Sequence, residues 1–276
     1  MRIIEAVVLG VVQGFTEFLP ISSSGHLLLV PWLFGWEELD ESSKKFFDVA
    51  VHFGTFVAVL GYFRRDVVGY VRDGTLLLVR RQRPVTTDGR LAWLFVLSVV
   101  PAALVGAFFE EQIDERLGTP TIIAISLIVF GLLLGWADRA AGRRELESFG
   151  TRDALVVGAA QALALNPGTS RSGITMTGAR FLGFDRDAAA RISFVMSLPV
   201  ILGALVFKAL GAASDEIDAD LWLPIVVGVI TAGISGWIAV WGTLRLIRTR
   251  SFMPFVVYRV VLGIIVLVLV ATGVRS

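Results

Sequence analysis

The sequence predicts an all-α, polytopic membrane protein with about six full transmembrane helices and two re-entrant helical hairpins, arranged as inverted-topology repeats. Hydrophobic residues make up 55% of the 276 residues, and the mean hydropathy is +0.75, well above an ordinary soluble domain. Several apolar runs can cross a hydrocarbon core, which takes about 20 helical residues. In addition, short polar stretches interrupt two other apolar regions.

Six uninterrupted apolar runs predict the full spans: roughly 47–63, 91–109, 121–137, 192–211, 222–247 and 255–274. Regions 3–36 and 153–180 are also apolar, but each is broken in the middle, and neither half is long enough to cross comfortably. We expect each region to form a hairpin that enters and leaves on the same side. Irregular backbone at membrane depth is tolerated only inside protein or against water, so the two breaks should line a cavity.

The two polar stretches, 20–26 and 166–173, match each other at one constant sequence distance of 148 residues. The match extends to residues before the stretches, such as Gly10 and Gly158. The other matched pairs are Gln13 with Gln161, Ser22 with Ser170, Ser24 with Ser172, and Gly25 with Gly173. The same offset sets Ser23 opposite Arg171. An internal repeat at a fixed offset indicates a duplicated structural unit.

The distribution of charge predicts the orientation. Arginines are concentrated in the loops 64–90 and 138–152 and at 245–250, whereas 110–115 and 215–220 are acidic. The positive-inside rule places the basic segments in the cytoplasm and both termini outside.

Under this orientation the first hairpin enters from outside and the second from the cytoplasm. We therefore expect one membrane domain, 1–276, made of inverted repeats at 1–137 and 151–276. We read the N-terminus as part of the fold, because no small-residue cleavage site follows its apolar run.

Gln13 and Glu17 are candidate site residues because they are four apart and share a helix face. A carboxylate at the centre of a membrane helix costs roughly 2.5–3.5 kcal/mol, so such a group is functional by default. Glu17 could be a metal ligand, an anchor for a catalytic base, or the base itself. The alternative is a structural hydrogen-bond acceptor for neighbouring helix ends.

The first polar turn contains Ser22, Ser23, Ser24 and His26, and it follows Pro20, which ends the preceding helix. One of the three serines is expected to cap the next helix. A serine with a histidine close by could form a nucleophile–base pair. The alternative is that His26 is a satisfied interior histidine.

The second polar turn predicts an anion site just before a helix start. It offers glycine-exposed backbone amides, four hydroxyls and a guanidinium, and these groups bind phosphate. Its candidate residues are Gly168, Thr169, Ser170, Arg171, Ser172, Gly173 and Thr175. The alternative is that Arg171 snorkels or pairs with a structural carboxylate such as Glu17.

Other polar residues indicate structural roles. Lys208 and Arg259 lie near span ends and are expected to snorkel, and His52 is expected to be a packed histidine. Gly131 and Gly135 predict close helix packing. The chain has no cysteine, which excludes disulfides and thiolate catalysis. The net charge of +1 gives no indication of nucleic acid binding, and we expect none.

Two segments, Gly10–His26 and Pro167–Thr175, resemble the two signature motifs of the undecaprenyl-diphosphate phosphatases, also called bacitracin-resistance proteins. The Phe252-Met-Pro-Phe255 sequence and the pattern of spans fit as well, so the resemblance covers essentially the whole chain. It implies an integral membrane phosphatase that removes the terminal phosphate of undecaprenyl pyrophosphate. The product is the lipid carrier reused in peptidoglycan synthesis, and its recycling gives bacitracin resistance.

The resemblance also implies residue roles. Glu17 is the second acidic position of the Glu/Gln-x-x-x-Glu motif, Ser23 is the serine proposed as nucleophile with His26 beside it, and Arg171 holds the pyrophosphate. The motif leaves open whether Ser23 or His26 attacks the phosphorus. Ser22, Ser24, Gly168, Thr169, Ser170, Ser172, Gly173, Thr175 and Gln13 complete the expected substrate-binding set. The family needs a divalent cation, Mg²⁺ or Ca²⁺. Gln13 replaces a glutamate found in many relatives and cannot be a charged ligand, so Glu17 carries more of that duty.

We therefore expect a phosphatase in the cell membrane whose active site opens to the extracytoplasmic side, with a polyprenyl diphosphate as substrate. Membrane lipids are further expected partners, and the glycine-rich spans are compatible with a homodimer. The rival hypothesis is a transporter or flippase for an anionic lipid or small anion, because inverted repeats with broken helices also build transporters.

Overall fold

The computed structural model describes residues 1–37, 39–79, 85–211 and 218–274. These residues form an all-helical structure. In chain order the α-helices are α1 (Ile3–Phe18), α2 (Ser23–Phe34), α3 (Glu41–Tyr62), α4 (Arg64–Val79), α5 (Thr87–Leu117), α6 (Pro120–Asp138), α7 (Thr151–Ala162), α8 (Arg171–Phe181), α9 (Arg186–Gly211), α10 (Trp222–Ile247) and α11 (Met253–Ala271).

Six segments of the described chain are long and apolar enough to cross a membrane, and they confirm the six predicted spans. They are Glu41–Tyr62, Thr87–Phe108, Pro120–Asp138, Arg186–Val206, Ala219–Ile247 and Met253–Ala271. The chain is therefore a multi-pass membrane protein. The first span begins earlier than predicted because the Asp40 side chain caps α3, accepting a hydrogen bond from Ser43 N at 2.9 Å.

The prediction of a loop over 64–90 was wrong, because α4 and the first turn of α5 lie in this segment. An apolar face of α4 packs on α5: the buried Tyr70 ring lies 5.7 Å from the Phe95 ring, and Trp93 Nε1 donates to Gly74 O at 3.1 Å. The acidic segment 110–115 is not a loop either, because α5 continues to Leu117. Arg80, Arg81, Arg83, Asp215 and Glu216 lie outside the described residues.

Each of the two interrupted regions forms a pair of short helices joined by a turn. The first pair is α1 and α2, and the second is α7 and α8, with 16, 12, 12 and 11 residues respectively. Ser22 and Ser170 cap the second helix of each pair, accepting from the amides of Gly25 and Gly173. Both serines have positive φ, 79° and 74°, so matched positions of the two stretches share an unusual backbone conformation.

The helix pairs pack against the spans of the other half of the chain. Helix α1 lies against α10, as does α3, whereas α7 and α9 lie against α5, and α6 pairs with α11. Matched glycines make these approaches: a Cβ at Gly10 would lie 2.5 Å from Gly228 O, and one at Gly158 would lie 2.3 Å from Ser98 O. The predicted close packing at Gly131 and Gly135 is confirmed, since both lie against α11.

A buried carboxylate joins the helix ends at one face of the bundle. Asp138, at the end of α6, accepts from Arg186 Nε at 2.6 Å and from Phe252 N at 2.9 Å. Arg180 of α8 bonds to Phe184 O at 2.6 Å and to Ala140 O. These bonds tie α6, α8, α9 and α11 together at this face.

The close approach of α1 to α10 predicts that Gly10→Ala destabilises the protein. A methyl group there would overlap Gly228 O and Thr231 Oγ1, and overpacking of this kind costs about 1–3 kcal/mol. Thermal unfolding in detergent should show a lower Tm. Gly242→Ala is the matched control on α10, because nothing lies within 4 Å of its added Cβ; equal Tm values for the two variants would contradict the packing.

Candidate active site

The two polar turns lie in direct contact. Ser22 Oγ accepts from Gly168 N at 3.0 Å, and Ser172 Oγ donates to Leu19 O at 2.9 Å. A Cβ at Gly25 would lie only 3.3 Å from Gly168 Cα, so the glycine at position 25 allows this approach. Residues about 148 apart in sequence therefore form one site, as the matched stretches predicted.

A cavity of about 210 Å³ opens beside these turns. Its lining is Glu17, Ser22, Ser23, Ser24, Val49, His52, Ala164, Arg171, Val200, Ile201, Ala204 and Leu205. Five predicted site residues are among them, and the α9 residues form an apolar wall opposite. The cavity is thus amphiphilic, with polar groups from both turns on one side.

Glu17 is the centre of the polar side. It is only 5% exposed, and its Oε2 accepts from Ser23 Oγ at 2.6 Å and from Gln13 Nε2 at 3.1 Å. Its Oε1 accepts from Arg171 Nη2 at 2.9 Å. One carboxylate therefore orients the candidate nucleophile and the candidate phosphate ligand together.

Arg171 is compatible with both roles that the sequence left open, the ion pair with a carboxylate and the binding of an anion. It forms the ion pair with Glu17, but its Nη1 is buried and has no hydrogen-bond partner among the described residues. A buried, unpartnered N–H donor is costly unless a ligand completes it. The free end of the guanidinium is therefore available to an anion in the cavity.

Two helices begin at this cavity. Ser23 opens α2 and Arg171 opens α8, and the first N–H groups of a helix have no partner within it. The positive ends of two helix dipoles thus meet beside the Arg171 guanidinium, which favours anion binding.

The expected nucleophile–base pair of Ser23 and His26 is not formed. His26 Nδ1 lies 2.6 Å from Ser22 O, and Nε2 lies 2.7 Å from the Tyr258 hydroxyl. Because a carbonyl only accepts, Nδ1 carries the proton, and in the neutral ring Nε2 accepts from Tyr258. Both nitrogens are thus engaged away from Ser23, whose partner is Glu17 instead.

His52 is a site residue that the sequence reasoning missed. It was expected to be packed, but its side chain is 32% exposed and lines the cavity, with Nε2 3.7 Å from Glu17 Oε2. Its Nδ1 bonds to Asp48 O at 2.6 Å. A single histidine within an apolar span gives no motif, and only its place on α3 brings it to the turns.

Most predicted residues of the second turn lie behind the cavity and are not part of its lining. Gly168 adopts φ +91° against Ile123 O, and Thr175 Oγ1 donates to Ser193 Oγ at 2.8 Å, toward α9. The hydroxyls of Ser170 and Ser172 are engaged within the protein. Those absent from the cavity lining are Gly168, Thr169, Ser170, Ser172, Gly173 and Thr175. They shape the turn that presents Arg171.

Arg259 also departs from expectation, because it does not snorkel: it is 0% exposed. It donates to Pro20 O of the first turn at 3.1 Å and to Gly168 O and Thr169 O of the second at 2.9 Å. Gly131 of α6 makes room for it by having no side chain. The Lys208 side chain, which was also expected to snorkel, lies outside the described part of the structure.

The residues around Glu17 could supply some of the ligands of a cation but not a complete set. Gln13 is fully buried, and its Oε1 has no partner among the described residues, so it offers an acceptor next to the carboxylate. Within the described chain, no group of three or more His, Cys, Asp or Glu residues could hold a metal. Mg²⁺ needs only one or two protein oxygens when substrate phosphates supply others, and this donor set fits that mode.

Comparison with known proteins places the chain in a family. Residues 6–265 match the family model described as bacitracin resistance protein BacA. The chain is 46% identical over its whole length to the whole undecaprenyl-diphosphatase of Pelobacter propionicus. It is 44% identical to undecaprenyl-diphosphatase 2 of Stutzerimonas stutzeri, over 98% of both chains. A third relative, the undecaprenyl-diphosphatase of Geobacter sulfurreducens, is 46% identical over 95% of this chain and 96% of its own. The chain therefore belongs to the bacitracin resistance protein BacA family.

Proposed function

We propose that this protein is a membrane phosphatase that hydrolyses undecaprenyl pyrophosphate to undecaprenyl phosphate and phosphate. The full-length similarity to proteins named undecaprenyl-diphosphatase supports this activity. The observation that carries it is the cluster of Ser23, Glu17 and Arg171 beside one amphiphilic cavity. Its product is the lipid carrier of peptidoglycan synthesis, and recycling of this carrier gives bacitracin resistance.

The fold is a pair of inverted repeats, 1–137 and 151–276, each with a re-entrant hairpin. Three observations support this: the matched polar stretches, the shared positive φ of Ser22 and Ser170, and the exchange of packing partners between halves. Helix α1 of the first repeat packs on α10 of the second, and α7 of the second repeat packs on α5 of the first. A two-fold axis relating the repeats requires such a reciprocal pair of contacts. The short helices of both hairpins support a turn at membrane depth.

The cavity opens to the extracytoplasmic side of the cell membrane. With the basic segments in the cytoplasm, the outer half of α3 is its first half, and the outer half of α9 is its second half. The cavity residue Val49 lies in the first half of α3, Val200 and Ala204 lie in the second half of α9, and His52 lies at the middle of α3. The Asp138 cluster lies at the opposite, cytoplasmic end of the bundle.

Substrate binding follows from the two sides of the cavity. The diphosphate is held by the free Nη1 of Arg171 and by the N–H groups that open α2 and α8. The first isoprene units lie along the apolar wall of α9, and the rest of the tail stays in lipid. Membrane lipids are thus further partners, and a homodimer remains an expectation from the glycine-rich spans.

The reaction begins with the bond between Ser23 Oγ and Glu17 Oε2. Glu17 takes the hydroxyl proton as Ser23 attacks the terminal phosphorus, an O–P bond forms, and the bridging P–O bond breaks to release undecaprenyl phosphate. Glu17 passes this proton to the leaving phosphate oxygen and then takes a proton from water, which attacks the phosphoserine. The Oγ–P bond breaks, phosphate leaves, and the proton returns to Ser23 Oγ. Arg171 and the helix N-termini stabilise the developing negative charge, the main contribution in phosphoryl transfer.

A divalent cation, Mg²⁺ or Ca²⁺, belongs to this site. Glu17 and Gln13 Oε1 would hold it together with oxygens of the diphosphate. When bound, it neutralises phosphate charge.

Transport of a lipid or anion, the rival hypothesis, gains no support from the relatives, which are named for hydrolysis.

Arg171→Ala should reduce phosphate release from the lipid diphosphate by about 10²–10³-fold, because it removes the main charged ligand of the transition state. The assay uses purified protein in detergent with undecaprenyl pyrophosphate. Arg139→Ala, which removes an exposed arginine distant from the cavity, should keep normal turnover. Equal activity of the two variants would remove the phosphate-binding role from Arg171.

Ser23→Ala and Glu17→Gln should each lower kcat by about 10²–10⁴-fold, because one removes the nucleophile and the other the base. Ser251→Ala, which deletes a hydroxyl at the start of α11, serves as the control. A Ser23→Ala protein with near-normal kcat would instead assign the attack to an activated water.

Removal of divalent cations should suppress turnover. Dialysis against excess EDTA is expected to stop phosphate release, and adding Mg²⁺ or Ca²⁺ should restore it, because the diphosphate charge is otherwise only partly neutralised. EDTA saturated with Ca²⁺ beforehand controls for chelator effects on the detergent. Unchanged turnover after dialysis would show that the protein groups suffice alone.

A further inference from the structure

Two consecutive residues of α11, Tyr258 and Arg259, hold the two turns without lining the cavity. Arg259 is bonded to both turns, and Tyr258 is bonded to His26 of the first. Neither has a role in the chemistry proposed above. Tyr258 nevertheless reaches the peptide next to Ser23 through His26. Arg259 bonds to the carbonyls two and three residues before Arg171.

Arg259 is a buried cation whose described partners are all backbone carbonyls. Besides Pro20, Gly168 and Thr169, it bonds to Leu127 O and Ser126 O of α6 at 3.1 and 3.4 Å. A buried charge without a carboxylate partner is costly unless its donors are well satisfied. The planar guanidinium satisfies this need by joining three segments that sequence keeps far apart.

These bonds fix the peptide planes that precede α8. In a trans peptide the C=O and the next N–H point in opposite directions. Because Gly168 O and Thr169 O both point to Arg259, the N–H groups of the following residues are turned away from it. The backbone leading into Arg171 is thereby held in one orientation relative to Pro20.

Tyr258 acts on the first turn through His26. Its hydroxyl donates to Nε2, its ring stacks on the imidazole at 5.7 Å and 12°, and Nδ1 donates to Ser22 O. The peptide unit whose carbonyl is Ser22 O also carries the N–H of Ser23. The hydrogen bonds from Tyr258 through His26 therefore end on the peptide group that directly precedes the Ser23 Cα.

We propose that Tyr258 and Arg259 are positioning residues for the proposed phosphatase reaction, on which this inference rests. Arg259 sets the separation of the two turns, so that Ser23 and Arg171 face the same cavity. Tyr258 sets the orientation of the Ser22–Ser23 peptide, with His26 as a fixed link and not a base.

The first test is Tyr258→Phe, which keeps the stacked ring and removes only the hydroxyl. We expect kcat to fall about tenfold, the loss of one hydrogen bond, with KM within twofold and Tm unchanged. Tyr62→Phe, at the far end of α3, is the matched control. Combining Tyr258→Phe with His26→Ala should add no further loss, because both changes break the same link. Unchanged kcat in Tyr258→Phe, or losses that multiply in the double variant, would overturn the link.

The second test is Arg259→Lys, whose ammonium retains the charge but cannot reach carbonyls of both turns. We expect kcat to fall and KM to rise, with Arg248→Lys as the control. The cysteine-free chain also permits spin labels at introduced cysteines replacing Ser24 and Leu163, both exposed. The label separation should be narrowly distributed in the parent and in Tyr258→Phe, and broad in Arg259→Lys. Parent-like kinetics and a narrow distribution in Arg259→Lys would overturn its role.

These measurements separate the two proposals. If the unaltered protein releases no phosphate, the proposed function fails, but the label distances still judge Arg259 without turnover. If Arg259→Lys does not fold, the kinetic coupling of Tyr258 and His26 decides the inference. Turnover by the unaltered protein together with parent-like behaviour of both variants would leave the function standing and remove the positioning roles.

Discussion

The structure depends on satisfying the peptide groups that two broken helices expose inside a membrane protein. Lipid offers them no hydrogen bonds, and each unsatisfied group would cost several kcal/mol. The turns supply hydrogen-bond partners to each other: Ser22 Oγ accepts from Gly168 N, and Ser172 Oγ donates to Leu19 O. Arg259 donates to carbonyls of both turns. Each turn therefore relies on hydrogen bonds from the other half of the chain.

Shared hydrogen-bond partners also organise the candidate active site. Glu17 accepts bonds from Gln13, Ser23 and Arg171 at once, so one carboxylate holds together the residues that would act on a substrate. Arg171 bonds to Glu17 through Nη2, and its Nη1 has no partner among the described residues. An anion can therefore reach the guanidinium without displacing the carboxylate, and substrate recognition and orientation of the nucleophile would depend on the same ion pair.

The sequence was sufficient for features that leave a local or repeated pattern. The six spans follow from long apolar runs, and the meeting of the two turns follows from their matched residues. The sequence was insufficient where the partner is distant: Arg259 bonds to residues between 90 and 239 positions away, and nothing beside it in sequence indicates them. His52 was missed because a lone histidine in an apolar helix has no periodic signal. The hydrogen bonds of His26 could not be predicted because its partner, Tyr258, lies on the last helix.

The cavity joins two matched halves that no longer carry the same groups. At the offset that matches the polar stretches, Leu165, Ile174 and Val200 stand where the first half has Glu17, His26 and His52. Gln161, the counterpart of Gln13, has both amide atoms buried and without a partner in the described chain. A site built on a two-fold axis would accept a ligand in two equivalent directions. Because these three positions are polar in the first half and apolar in the second, the pocket has a polar side and an apolar side, and an amphiphile can bind in one direction only.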